Sequence, residues 1–150
     1  LMPYIARVAD GSLPTLYVYG DDYDTPDGTG VRDYIHVSDL AEGHRAVLRF
    51  LEGESGWHAF NLGAGEGFSV LEMVRAFEAV SGKKIPFQIV SRRSGDVACC
   101  YANPSRARDF LGWHTKRGLD DICASTWAFQ QTSATATVGV ATTTSEPGLA

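Results

Sequence analysis

An α/β fold is predicted from three observations. Short apolar runs recur between Gly, Pro and Asp residues: Leu16-Tyr17-Val18-Tyr19, Tyr34-Ile35-His36-Val37 and Pro86-Phe87-Gln88-Ile89-Val90. Longer segments with apolar residues at helical spacing lie between them, and two open on capping-box patterns, Asp39 with Glu42 and Ser69 with Glu72. The 150 residues are 44% hydrophobic and 21% charged, which is enough apolar material for one domain with a core.

Each element follows from local chemistry. Pro3 suits a first helical turn, so a helix is expected over Met2 to Asp10. Leu16 to Tyr19 reads as a strand ended by Gly20. The loop from Asp21 to Asp33 is acidic and carries Gly28 and Gly30. Tyr34 to Val37 reads as a second strand. A helix over Leu40 to Leu51 would place Leu40, Val47, Leu48 and Leu51 on one side, before a turn at Gly53 to Gly56. Trp57 to Leu62 reads as a buried strand. After Ser69, Val70, Leu71, Val74, Phe77 and Val80 recur at helical spacing until Gly82. Pro86 to Val90 is a strand. Asn103 and Pro104 open a helix that stops at Gly112, and a last helix covers Leu119 to Gln131. Residues 132–150 are mostly Thr, Ala, Ser and Gly with Glu146 the single charge, so a domain over 1–131 and an unstructured tail are expected.

The net charge of −5 argues against nucleic-acid binding. No apolar run is long enough to span a bilayer, and no signal-peptide pattern is visible, so a cytoplasmic protein is expected. The chain opens on Leu1 inside a helical pattern, which suggests part of a longer protein. Cys99, Cys100 and Cys123 are odd in number and lack CxxC spacing, which argues against zinc or a disulfide framework. His36, His44, His58 and His114 show no ligand spacing, so no metal site is expected.

Three loops could carry chemistry. In Asp27-Gly28-Thr29-Gly30-Val31-Arg32, the glycines allow close backbone approach and Arg32 offers a planar fork to phosphate; a solvated surface loop reads as well from the loop alone. Ser91-Arg92-Arg93-Ser94-Gly95-Asp96 is a second basic loop. Alone it would be solvated; with Arg32 it could flank a diphosphate. Gly63-Ala64-Gly65-Glu66-Gly67 sits between a strand and a helix. A dinucleotide fingerprint needs glycines at its first, third and sixth positions, and the sixth here is Phe68, so a tight turn is the better reading. No Tyr-x-x-x-Lys occurs, since Lys83, Lys84 and Lys116 do not follow a tyrosine by four.

The run Arg32-Asp33-Tyr34-Ile35-His36-Val37, the turn after Asn61-Leu62-Gly63 and the pair Arg93 with Asp96 resemble the UDP-galactose (UDP-glucose) 4-epimerases, extended short-chain dehydrogenase/reductases. The resemblance covers roughly residues 1 to 131 and implies the C-terminal, substrate-binding part of that fold, with the N-terminal Rossmann half missing. It implies that the backbone of Tyr17, Val18 and Tyr19 pairs with uracil, and that Val70 packs on the base. Arg32 and Arg93 would hold the phosphates, Asp96 a ribose hydroxyl, and Leu1 would also touch substrate. Cys100 would line the sugar pocket, where a small residue leaves room for an N-acetyl group. A small buried hydrophobe without selectivity is the other reading of Cys100.

The resemblance further implies NAD bound by the missing half, which would also hold the catalytic Tyr-x-x-x-Lys; this chain would carry no catalytic or cofactor residue. The expected partners are a UDP-sugar and a second copy of the parent enzyme. A non-catalytic UDP-sugar-binding module and another nucleotide-sugar epimerase or dehydratase are the rivals. Apolar surface is expected to lie exposed where the missing half would pack.

Overall fold

The computed structural model describes residues 1–140, with side chains as far as 133. Its elements in chain order are α1 (Met2–Ala9), β1 (Leu16–Tyr19), β2 (Val31–Arg32), α2 (Val37–Leu51), β3 (Phe68–Ser69), α3 (Val70–Ser81), β4 (Phe87–Val90), β5 (Cys99–Cys100), α4 (Ser105–Leu111) and α5 (Leu119–Val140). β1 and β4 pair in parallel, Leu16 opposite Phe87 and Tyr19 opposite Val90. A second small sheet has the order β3-β2-β5, with β2 antiparallel to β3 and parallel to β5.

The core forms where α1, α3 and α5 pack over β1. Ile5, Ala6, Val18, Met73, Phe77 and Cys123 are buried there, and Trp127 meets Phe77 edge to face, ring centres 6.1 Å apart. Burial of aromatic and branched side chains of this size stabilises by about 1.5–3 kcal/mol each. Burial also pushes the Cys123 thiol up to about 11, helped by Asp120, so Cys123 is inert packing. Cys99, Cys100 and Cys123 are all free. Among the described residues no helix is long and apolar enough to cross a membrane.

The locally encoded features hold. Ser69 and Glu72 form the expected reciprocal capping box. α3 ends at Gly82 and α4 at Gly112, both with left-handed backbone. Asn103 Oδ1 accepts the Ser105 amide at the start of α4.

Several expectations fail, each for a non-local reason. The strand placed at Tyr34 to Val37 lies instead at Val31–Arg32, where both edges find partners, Ser69 and Phe68 on one side and Cys99 and Cys100 on the other. α2 starts at Val37, with His36 as its N-cap: Nδ1 accepts the Ser38 amide at 3.0 Å. The Asp39–Glu42 capping box does not form, because Asp39 is drawn inward to the 116–117 backbone. Trp57 to Leu62 is no strand: among the described residues no strand pairs with it, and Trp57 is 87% exposed. α2 buries Asp39 and Gly43, while Val37, Leu48 and Leu51 face solvent. These side chains leave apolar surface exposed along α2. The segment 132–150 was expected to be unstructured, yet α5 continues to Val140; residues 141–150 lie outside the described residues.

His36 joins two elements. With Nδ1 accepting from Ser38, Nε2–H donates to Ser125 Oγ on α5 at 3.0 Å, and Ser125 in turn donates to the Ile122 carbonyl. His36→Ala should cost about 1–2 kcal/mol by loss of the cap, and His36→Asn, which still caps, should recover much of it. Urea midpoints decide; equal losses in the two variants would show that the cap contributes nothing.

Candidate functional site

The open edge of β1 starts the site. The amides of Leu16 and Gly20 donate to Pro86 and Val90, so strand alternation turns the backbone groups of Tyr17 and Tyr19 toward the other edge. β1 has no second strand partner among the described residues, so that edge is free to pair with a planar ligand. Leu16 and Val18 are buried beneath, which fixes the strand on the core.

A cleft of about 570 Å³ opens along this edge, within the range of small-molecule sites. Leu1, Tyr17, Val18, Tyr19, Arg32, Val70, Arg93 and Asp96 line it together. These residues come from α1, β1, β2, α3 and the loop after β4, so the fold gathers what the sequence scatters. Cys100 does not line this cleft. It is exposed on β5, directly opposite Arg32 in the ladder.

The cations differ in their surroundings. Arg93 donates from Nε to Asp96 at 2.9 Å and lies 4.7 Å from the centre of the Tyr19 ring. Arg92 has partners too. Its guanidinium bonds the Asp22 carboxylate at 2.5 Å and the Asp22 carbonyl, and it covers the Tyr23 ring at 4.0 Å. Arg32 bonds only the Val31 carbonyl, at 2.7 Å, and has no acidic partner among the described residues. It is the cleft cation left free for an anion.

The acidic loop before β2 is held by a latch. Asp27 accepts from Ser69 Oγ at 2.5 Å and from Thr29 Oγ1 at 2.7 Å, and Arg75 stands 3.5 Å away. Burial alone would raise the Asp27 carboxyl; these hydrogen bonds and Arg75 outweigh it and hold it below the usual range. Gly28 is required here: its φ is +76°, and a side chain would collide with the Asp21 carbonyl. The latch lies just before Gly30 and Arg32, which line the cleft together with Val70.

Tyr34 and Tyr23 are among the cleft residues that escaped the sequence reading. Tyr34 lines the cleft, although its apolar neighbours made it look like a strand residue. Burial raises its hydroxyl, partly offset by Arg32, so it stays a neutral donor. Its place two residues after Arg32 was the available signal. Tyr23 is 6% exposed, and its hydroxyl is the buried side-chain polar atom with no partner among the described residues. The sequence held no signal for it.

The Gly63–Gly67 turn does not fit a dinucleotide. The Ala64 and Gly65 amides, which a phosphate would need, both bond Asp33. The residues present therefore do not form an NAD site at this turn.

Residues 1–126 match the family model described as GDP-mannose 4,6 dehydratase. The chain is 56% identical over 133 residues to a UDP-glucose 4-epimerase of Bacillus subtilis, covering 89% of this chain and 39% of that protein. It is 58% identical over 131 residues to the human UDP-glucose 4-epimerase, covering 87% of this chain and 38% of that one. The crystal structure of the Stenotrophomonas maltophila UDP-glucose 4-epimerase, with bound NAD and a formylated UDP-arabinopyranose, superposes with a TM-score of 0.89 at 51% identity, over 91% of this chain and 40% of that chain. The chain thus spans about two-fifths of the length of the relatives it matches. With a family model matched from Leu1 to Thr126 and epimerase sequences and structures aligned over the same stretch, the chain belongs to the GDP-mannose 4,6 dehydratase family of extended short-chain dehydrogenase/reductases and is related within it to the UDP-glucose 4-epimerases.

Proposed function

We propose that this chain is the UDP-sugar-binding part of a UDP-glucose 4-epimerase. In the whole protein it would interconvert UDP-galactose and UDP-glucose, and also UDP-GalNAc and UDP-GlcNAc, through a 4-keto sugar with NAD bound elsewhere. The observation that carries the reading is the cleft itself. Eight residues named for UDP-sugar contact converge on one cavity, in a chain 56–58% identical to epimerases. The open edge of β1 suits the uracil edge, Arg32 and Arg93 suit the diphosphate, and Val70 supplies an apolar wall. Arg93 engages Asp96 through Oδ2, which leaves Oδ1 to accept a ribose hydroxyl while the ion pair holds. A cytoplasmic homodimer completes the proposal.

The direct test is titration with UDP. Binding in the micromolar range, lost with Arg32→Ala, supports the reading; no UDP binding by the intact protein that carries this chain sinks it. Cys100 gives a finer test. Its thiol is small, and a phenol ring there would fill space an N-acetyl group needs. Cys100→Tyr in the intact enzyme should abolish turnover of the N-acetyl sugars and spare UDP-galactose. Undiminished N-acetyl turnover would show that Cys100 sets no selectivity.

A further inference from the structure

We propose that Asp33 is a positioning residue of the cleft: it locks Arg32 to the Gly63–Gly65 turn and to the end of β5, so the phosphate-binding guanidinium and Cys100 are held as one unit. The proposal rests on the UDP-sugar reading for its ligand, but its geometry stands by itself.

Asp33 lies between Arg32 and Tyr34, both of which line the cleft. Its carboxylate faces away from them and accepts three backbone amides. Ala64 donates to Oδ1 at 2.9 Å; Gly65 and Ala102 donate to Oδ2 at 3.2 and 3.1 Å. Its own amide donates to the Cys100 carbonyl at 3.3 Å. One side chain therefore ties three segments that are remote in sequence: the end of β2, the turn before β3 and the residues after β5. Hydrogen bonds to a charged acceptor are stronger than neutral ones, and three converging amides leave the carboxylate one orientation.

Gly63 records the tightness of the tether. A Cβ at position 63 would stand 2.5 Å from Asp33 Oδ2 and 2.6 Å from the Ala102 Cβ. Any side chain there drives the carboxylate from its amides.

The consequence for binding runs through Arg32. Its guanidinium is anchored by one bond, to the Val31 carbonyl, so its aim follows the backbone of residues 31–33. β2 is two residues long, and two ladder pairs on each side are little to fix it. Asp33 supplies the missing constraint. Because Cys100 pairs with Arg32 across the ladder, the same tether also fixes where Cys100 stands relative to Arg32.

A purely structural carboxylate would behave otherwise, and Asp39 serves as the control. It too accepts several backbone amides, but it lies outside the cleft. The test is a double-mutant cycle on the intact protein, read by UDP titration well below the melting temperature. Asp33→Asn keeps the volume but turns an NH₂ toward amide donors. It should weaken UDP by about tenfold, the scale of one charged hydrogen bond. In an Arg32→Ala background the same change should have an effect within about twofold, since coupled residues are not additive. Asp39→Asn should lower the melting temperature and leave UDP affinity unchanged. UDP affinity unaltered by Asp33→Asn, or weakened equally with and without Arg32, overturns the proposal.

Should Asp33→Asn not fold, Gly63→Ala displaces the same carboxylate without removing it and must reproduce the loss. A ligand-free readout separates this inference from the UDP reading. Amide hydrogen exchange at 31–33, 63–65 and 99–102 should rise together in either variant. If it rises only at the mutated segment, the tether is refuted whatever the protein binds. If the wild type binds no UDP while the three segments still loosen together, the UDP reading falls and the tether stands.

Discussion

Asp39→Ala should destabilise the chain by about 3 kcal/mol, the scale expected when one partner of a buried ion pair is removed. Asp39 is fully buried in the first turn of α2. Its Oδ2 accepts the Lys116 and Arg117 amides at 3.0 and 2.9 Å, and its Oδ1 accepts the Arg117 guanidinium. The Asp39 carbonyl takes the Trp113 indole N–H at 3.0 Å. One residue thus pins the 113–117 loop to α2, and alanine leaves two amides without an acceptor. Arg117 is one-third exposed and can rehydrate, which keeps the loss from being larger. Small domains have only about 5–15 kcal/mol in hand, so the effect is severe. Urea unfolding at neutral pH measures it; a loss below about 1 kcal/mol would mean that the buried carboxylate contributes no more than a surface pair.

The same carboxylate predicts acid sensitivity. Burial alone would raise its pKa, but the Arg117 and Lys116 amides and the Arg117 guanidinium outweigh burial, and the net shift is downward. A folded-state value below the unfolded one gives stability that is present above the unfolded pKa. That stability is lost as pH falls through the folded value. Asp27 and Glu78 shift in the same direction, Asp27 through Ser69 and Thr29, Glu78 through the Ile85 amide. Stability should therefore fall as pH drops below about 4, the ordinary carboxylate range. Asp39→Asn should be less stable at neutral pH and show a shallower acid decline. An unchanged acid slope would remove Asp39 from the account.

Why the sequence revealed some of this and hid the rest is a matter of range. The Ser69–Glu72 box, Gly82, Gly112 and Asn103 act within a turn of chain, so each was legible. β2 was misplaced because Val31 and Arg32 become a strand through Phe68–Ser69 and Cys99–Cys100, partners that no local window contains. Tyr34-Ile35-His36-Val37 has the stronger β composition but no neighbour to pair with. Asp39 carried the pattern of a cap, and only the approach of residues 116–117 turned it into a buried anchor. Trp57 to Leu62 reads as a strand because its composition is that of one; a ladder also needs a partner strand. The cleft residues were found through family resemblance, since Leu1, Val70 and Asp96 share no local signal. Tyr23 and Asp33 act through contacts visible only in three dimensions.

Arg32→Ala should weaken UDP by about a hundredfold or more, at roughly 1.5–3 kcal/mol for each charged hydrogen bond lost from a bidentate contact. Arg93→Ala should weaken it far less, although both arginines line the same cleft. The difference lies in what each already holds. Arg93 is engaged by Asp96 and by the Tyr19 ring, and a phosphate must compete with both. Arg32 has no carboxylate to leave among the described residues, lies close to Gly30, and is backed by Asp33 through the chain. No carboxylate pairs with it among the described residues, so an anion bound there displaces no ion pair. Titration of UDP against uridine separates the terms. Arg32→Ala should erase most of the preference for the diphosphate and leave uridine binding intact, because the open edge of β1 is untouched. Equal losses from Arg32→Ala and Arg93→Ala would show that the Arg93–Asp96 pair dissolves at no cost, and that the two arginines share the diphosphate evenly.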